Sequence, residues 1–409
     1  MGKLKVYLHI SLLFFTLSAL SGVWMRLFSL YPNNLVPYTN VLHGHSHLAI
    51  LGWAFLGLFV ISLTLFWSTL KRRKQAIAIC AALAITSLIM FVAFLTQGYA
   101  VFSIVMSTLH ILIEYWAALF IFREIKCRDA SKVATLWIKG ALITLIISSL
   151  GPFSLGYISA NGLKDSPLFD MAIYFYLHFQ YNGWLTLGLI GCFALILCRQ
   201  NIPFHHTWLK RGFMVYFLSL FPGLVLSILW MDGTGKLAEM TAAIGSVGQW
   251  IGVIFVLTAF RKSWKSLYEQ YSKLVANSLV ITFLLFVIKS TMELGLISPT
   301  LSVLVYDTRN VIIGYLHLTL LGFISVFILS QFIMLNWVRT NQTTIVGFVL
   351  FIVGFTINEL LLFIQSLIGW LELGSLPFYL EGLCFASLLL LIGILVLWTS
   401  FFKHKHSPV

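Results

Sequence analysis

Twelve apolar runs follow one another along this chain, separated by short polar breaks, and each is long enough to cross a membrane as a helix of about 20 residues. They fall near Val6–Leu30, Asn40–Leu70, Ala76–Gly98, Phe102–Phe122, Leu136–Ile158, Met171–Cys198, Leu209–Met231, Met240–Phe260, Leu274–Leu296, Val311–Leu335, Ile345–Trp370 and Phe378–Phe402. In lipid a backbone must satisfy its own hydrogen bonds, which leaves only helices and closed barrels. Barrel strands are about ten residues long, so runs of this length read as helices. The expected fold class is all-α: a polytopic membrane protein with twelve transmembrane helices and the lipid bilayer as its surroundings. Composition agrees, since only 10% of the residues are charged and 60% are hydrophobic, whereas about a quarter of a soluble domain is charged. No loop of domain size interrupts the runs, so residues 1–409 read as a single membrane domain.

The net charge of +13 is a topology signal. Of the 26 lysines and arginines, all but Arg26, Lys164, Lys236, Lys289 and Arg309 fall on one side when the spans alternate. Such a bias marks the cytoplasmic side. It puts both termini in the cytoplasm, implies the inner membrane of a bacterium, and leaves no role for nucleic acid as a partner. Lys3 and Lys5 before an apolar stretch have the look of a secretory signal, but the run continues past Trp24, and its loss would disturb the alternation. The first helix is therefore expected to be retained. Cys80, Cys127, Cys192, Cys198 and Cys384 form no C-x-x-C pair, so neither disulfides nor covalently attached haem are expected.

Within the runs a motif recurs: a histidine, a glycine five residues later, then an aromatic. The copies are His47…Gly52-Trp53, His178…Gly183-Trp184 and His317…Gly322-Phe323, at nearly regular intervals. They lie on helices two, six and ten, so the architecture reads as three four-helix blocks, near 1–135, 136–270 and 271–409. Each histidine comes about two turns into its helix, in the outer half of the membrane, and His110 on helix four shares that level. An ionisable group in the membrane is read by default as functional. A neutral imidazole suits haem iron, copper or zinc; the alternative is a hydrogen bond between packed helices. The glycines admit either a flat macrocycle or a neighbouring helix, and the aromatics read as core filling.

The densest segment is His43-Gly44-His45-Ser46-His47. His43 and His47 share a helix face and His45 points away, so three nitrogens on one centre are not expected. His43, His45, His110 and His178 are the candidate ligands for copper or another metal. Arg26 and Arg309, at outer helix ends, are positioned either to meet haem propionates or to snorkel to the interface. His110 and Glu114, four apart, read as a hydrogen-bonded pair, a proton relay or part of a metal site. Glu293 and Glu359 read as buried carboxylates or interhelical hydrogen-bonders. His205, His206, His404 and His406 are assigned no role.

Twelve helices with histidines on the second, sixth and tenth resemble the catalytic subunit of the haem–copper oxidases, a superfamily that includes nitric oxide reductases. Ile313-Gly314-Tyr315-Leu316-His317 looks like the family's Gly-His-x-His helix, with Tyr315 in place of the first histidine. The segment Gly44-His45-Ser46-His47 echoes it on helix two. The resemblance implies that His47 and His317 are the axial ligands of one low-spin haem b, and that His178 holds the family's copper-ligand position. The family's His-His copper pair on helix seven is replaced by Ile228-Leu229-Trp230-Met231-Asp232. The family's cross-linked tyrosine, four residues after the copper histidine, is replaced by Asn182, with Tyr181 one position earlier. The implied protein is a haem-binding membrane oxidoreductase with a degenerate binuclear site, closer to the divergent members associated with nitric-oxide response than to a terminal oxidase. It would exchange electrons with a redox partner or another membrane subunit. The rivals are a proton-coupled secondary transporter using His110, Glu114, Glu293 and the histidine layer, and a non-catalytic assembly or sensor protein.

Overall fold

The computed structural model describes residues 2–125, 131–231 and 233–402. Lys126, Cys127, Arg128, Asp232, Lys403, His404, Lys405 and His406 lie outside the described residues. The described chain carries twelve helices long and apolar enough to cross a membrane, as the spacing of the apolar runs requires. They are Gly2–Leu30, Tyr38–Phe66, Arg73–Gln97, Val101–Glu124, Lys132–Ala160, Pro167–Arg199, His206–Ile228, Lys236–Phe260, Lys273–Gly295, Arg309–Met334, Gln342–Trp370 and Tyr379–Phe402. They are called the first to twelfth spans below. The protein is thus a multi-pass helical membrane protein.

Two connections are more ordered than short loops would be. Ser263–Gln270 and Pro299–Asp307 are helical. The first is amphipathic: Ser263 and Leu267 are buried, while Lys265 and Glu269 are exposed and face each other at 4.0 Å. Such a helix suits the membrane interface, where one side is apolar and the other wet.

The spans divide into two compact units, Met1–Glu124 with Leu316–Val409, and Ile125–Tyr315. In unit one the first span packs along the second and the twelfth, the third along the second and fourth, and the eleventh along the twelfth. In unit two the fifth packs along the sixth, the seventh along the eighth, and the eighth along the ninth. Small residues let the hairpin pairs approach closely: a side chain at Gly245 would strike the Gly223 backbone, and one at Gly347 the Leu397 backbone. The most interior spans are the second and sixth, whose most apolar stretches are 94% and 89% buried, against 33–61% for the rest. Both are apolar all round, the pattern of a helix surrounded by other helices. Two of the three motif copies therefore sit on the most enclosed helices.

Candidate functional site

Each motif copy marks a break in helical geometry. The second span is α-helical over Tyr38–His47, a π-helix over Leu48–Phe55, and α-helical again over Leu56–Phe66. The sixth changes from α to π at His178 and back at Thr186, and the tenth is π-helical over Leu318–Ile324. π-Helical residues make up well under 1% of protein structure and often mark functional sites. Three such segments, each beginning at or just after a motif histidine, make the three copies locally equivalent in structure.

The side chains around the segments explain how the wide turns are accommodated. A π turn displaces carbonyls from their usual i+4 partners. Thr186 Oγ1 donates to Tyr181 O at 2.6 Å, and Ser325 Oγ to Leu320 O at 2.7 Å, both five residues back. These hydroxyls hold the same place, eight residues after His178 and His317; the first copy has Phe55 there. Ser325 also accepts from Trp53 Nε1 at 2.8 Å, which ties the first copy to the third. Trp53 itself stacks on Phe15 with ring centroids 4.2 Å apart, so this motif aromatic fills core and anchors a hydrogen bond. The glycines serve close packing. A Cβ on Gly52 would lie 3.0 Å from Phe14 of the first span, and one on Gly183 2.6 Å from Thr144 of the fifth. A neighbouring helix, not open space for a macrocycle, faces these two glycines.

In unit one the histidines of the second span separate as their spacing requires. His47 Nε2 meets the hydroxyl of Tyr99 at 3.0 Å, and its ring stacks on Phe94 at 4.4 Å. His43 packs edge-on against the same tyrosine at 4.5 Å. His45 turns to the first span, where its Nδ1 lies 2.8 Å from the carbonyl of Ser18, beside Gly22. A carbonyl can only accept, so Nδ1 carries the proton and Nε2 keeps its lone pair, the arrangement common for metal-ligating histidines. His317 is within electrostatic range of His45 and Arg26. Its Nδ1 lies 3.4 Å from the side-chain amide of Asn358 on the eleventh span, which also donates to Glu359 at 3.0 Å. Glu359 Oε2 is buried without a hydrogen-bond partner, and Glu359 too is within range of Arg26. His110 faces Thr86 and Glu114 and is within range of His47.

The structure thus brings together His45, His317, Arg26 and Glu359 on one side of the second span, and His43, His47 and Tyr99 on the other. Arg309 is exposed at the start of the tenth span and belongs to unit two.

Unit two holds a second buried polar cluster. Lys289 and Glu293, one turn apart on the ninth span, are 0% and 7% exposed and form an ion pair of 3.0 Å. The same carboxylate oxygen accepts from Asn182 at 3.0 Å and from the hydroxyl of Tyr315. Lys289 also donates to Asn182 Oδ1 and lies 5.7 Å from the ring of Tyr181. His178 closes the cluster: Nε2 donates to the carbonyl of Leu220 at 2.9 Å, and Nδ1 faces the Asn182 amide at 3.3 Å. Both ring nitrogens of His178 therefore have protein partners. Among the described residues no group of three or more His, Cys, Asp or Glu is disposed to hold a metal ion.

Lys289 is a correction to the charge pattern, which counts it among the outer-side residues; it is enclosed and paired. The signal for it is in the sequence, a Lys and a Glu four apart inside one apolar run. Asn182 and Asn358, which organise the two clusters, carry no such signal. Comparison with models of known families gives no match, and comparison with curated proteins gives none either, so the likeness to the haem–copper oxidases rests on the motif residues alone.

Proposed function

We propose that unit one binds one low-spin haem b at the layer of motif histidines, on a scaffold of the haem–copper oxidase subunit I type. The protein would handle redox chemistry of haem, or nitric oxide, in the cytoplasmic membrane. The observation that carries the reading is an approach of imidazoles from two spans: His45, with its Nδ1 tied to Ser18 O, lies within electrostatic range of His317. The residues fit the group. Two neutral imidazoles are the donors that give a low-spin b-type iron. Arg26, half-buried and within range of both histidines, suits an anionic propionate, and Glu359 Oε2 offers a buried polar atom still lacking a partner.

His317 is one axial ligand in this reading. The second comes from the second span, where motif equivalence assigns His47 and the electrostatic interaction with His317 favours His45. Purified protein should give a b-type pyridine haemochrome and a low-spin spectrum that is lost in His317→Ala. Loss in His47→Ala with retention in His45→Ala selects the motif pairing, and the reverse selects His45. Colourless, metal-free protein from haem-replete cells overturns the proposal.

A proton-coupled transporter is the second reading, favoured by the buried Lys289–Glu293 pair, since ionisable groups inside membrane bundles commonly mark ion pathways. Substrate-dependent proton flux in haem-free liposomes would support it over the first.

A further inference from the structure

One buried pair sets two polar atoms without hydrogen-bond partners face to face. His110 and Glu114, 0% and 2% exposed, lie one turn apart on the fourth span. His110 Nε2 and Glu114 Oε1 face each other at 3.6 Å, and neither has a hydrogen-bond partner. The other ring nitrogen, Nδ1, meets Thr86 Oγ1 of the third span at 2.8 Å. Thr86 Oγ1 in turn lies 2.7 Å from the carbonyl of Ala82, one turn back on its own helix. Around the pair, the second span contributes His47, within electrostatic range of His110, and the ring of Phe55 at 6.3 Å.

The threonine has one proton to give, and two arrangements follow. If it goes to His110 Nδ1, Nε2 carries the ring proton and faces Glu114 Oε1 as donor to acceptor. Glu114 is then either ionised, a costly state for a charged group away from water, or protonated on its other oxygen. The Ala82 carbonyl then loses the hydroxyl that lies 2.7 Å from it. If the threonine donates to Ala82, as helical threonines often do, His110 donates from Nδ1 to Thr86. Its Nε2 lone pair then faces the carboxyl group. Two lone pairs in contact require a proton between them. With that proton on Glu114, every group is neutral, and a small side-chain rotation closes the gap to a hydrogen bond.

We infer that Glu114 is a carboxylic acid that donates its proton to Nε2 of His110, and that the pair is an intramembrane proton-binding site holding one exchangeable proton. The ligand is the proton itself, and the site is built by Thr86, which sets the tautomer of His110. The inference does not depend on haem binding.

Infrared spectroscopy of the full-length protein in liposomes tests it. At neutral pH the protein should show a carboxylic-acid C=O stretch that shifts on transfer to D2O and disappears in Glu114→Gln. His110→Phe, which removes the acceptor but keeps the acid, should move the same band to higher frequency without abolishing it. A spectrum in which Glu114→Gln removes no carboxylic-acid band overturns the inference. So does a band that fails to shift in D2O, and so does a stoichiometric metal ion in the purified protein that is lost in His110→Phe.

Discussion

Two buried glutamates in this protein each follow a basic residue by four positions on one helix face, yet their surroundings differ. In unit one Glu114 faces His110 at 3.6 Å with no further donor on the facing oxygen. In unit two a single oxygen of Glu293 collects Lys289, Asn182 and Tyr315. The spacing within the helix is the same, and what differs is what the neighbouring spans supply. The sixth and tenth spans bring an amide and a phenol to Glu293, and its own helix brings a cation. The third span brings Thr86 to His110, and the facing oxygen of Glu114 gains nothing from it. A charged group in the middle of a bilayer costs at least about 2.5–3.5 kcal/mol on insertion scales. A carboxylate therefore survives where donors converge, and a neutral acid where they do not. The i,i+4 pattern alone does not set the charge state.

The largest effect should come from breaking the closed cluster. Lys289→Met leaves the Glu293 carboxylate enclosed without its cation, and Glu293→Gln leaves the ammonium. Removing one partner of a buried pair typically costs about 3–5 kcal/mol. The double variant, which removes both charges, should recover most of that loss. Denaturation midpoints in detergent for the two single variants and the double variant measure it. Single variants as stable as wild type would show that the pair is not enclosed as described.

The same substitution in unit one should be far milder. Glu114→Gln replaces a neutral acid by a neutral amide of the same shape, whose N–H still reaches Nε2 of His110. A net change within about 1 kcal/mol is expected, the scale of one neutral hydrogen bond. The ratio of the two Glu→Gln effects is the sharpest measure of the contrast. Equal losses at 114 and 293 would mean that Glu114 is ionised too.

This contrast also marks what could be read from the sequence. The twelve spans were legible because lipid forces each crossing segment to be long, apolar and helical. The opposite orientations of His45 and His47 followed from helical periodicity alone, and the contacts to Ser18 and Tyr99 bear it out. The pairing of His110 with Glu114 was visible as a spacing. Three features were not. Whether a turn closes by i+4 or i+5 hydrogen bonds depends on packing, so the π segments were hidden although their motif was plain. Thr86 and Asn182 matter through contacts 24 and 111 residues distant in sequence, which no local pattern encodes. Lys289 was counted with the outer-side charges because an isolated lysine in the outer part of a span usually snorkels to the interface. Its partner four residues on, inside the same apolar run, was the overlooked sign.

The smallest expected effect compares the π segments of the two units. Thr186 in unit two serves its segment with one bond, to the carbonyl of Tyr181. Ser325 in unit one donates to Leu320 and also accepts from Trp53, a residue buried to 2% exposure. Thr186→Val preserves shape and removes a single hydrogen bond, for a loss of about 0.5–1.5 kcal/mol. Ser325→Ala strands an indole N–H, while the Leu320 carbonyl keeps the backbone N–H of residue 325, and an unsatisfied buried donor adds about 1–3 kcal/mol. Ser325→Ala should therefore lower the denaturation midpoint more than Thr186→Val, and Trp53→Phe should reduce the difference, because it removes the stranded donor. If Trp53→Phe leaves the cost of Ser325→Ala unchanged, the bond between the first and third motif copies contributes nothing, and the repeat is held together only through the helices that carry it.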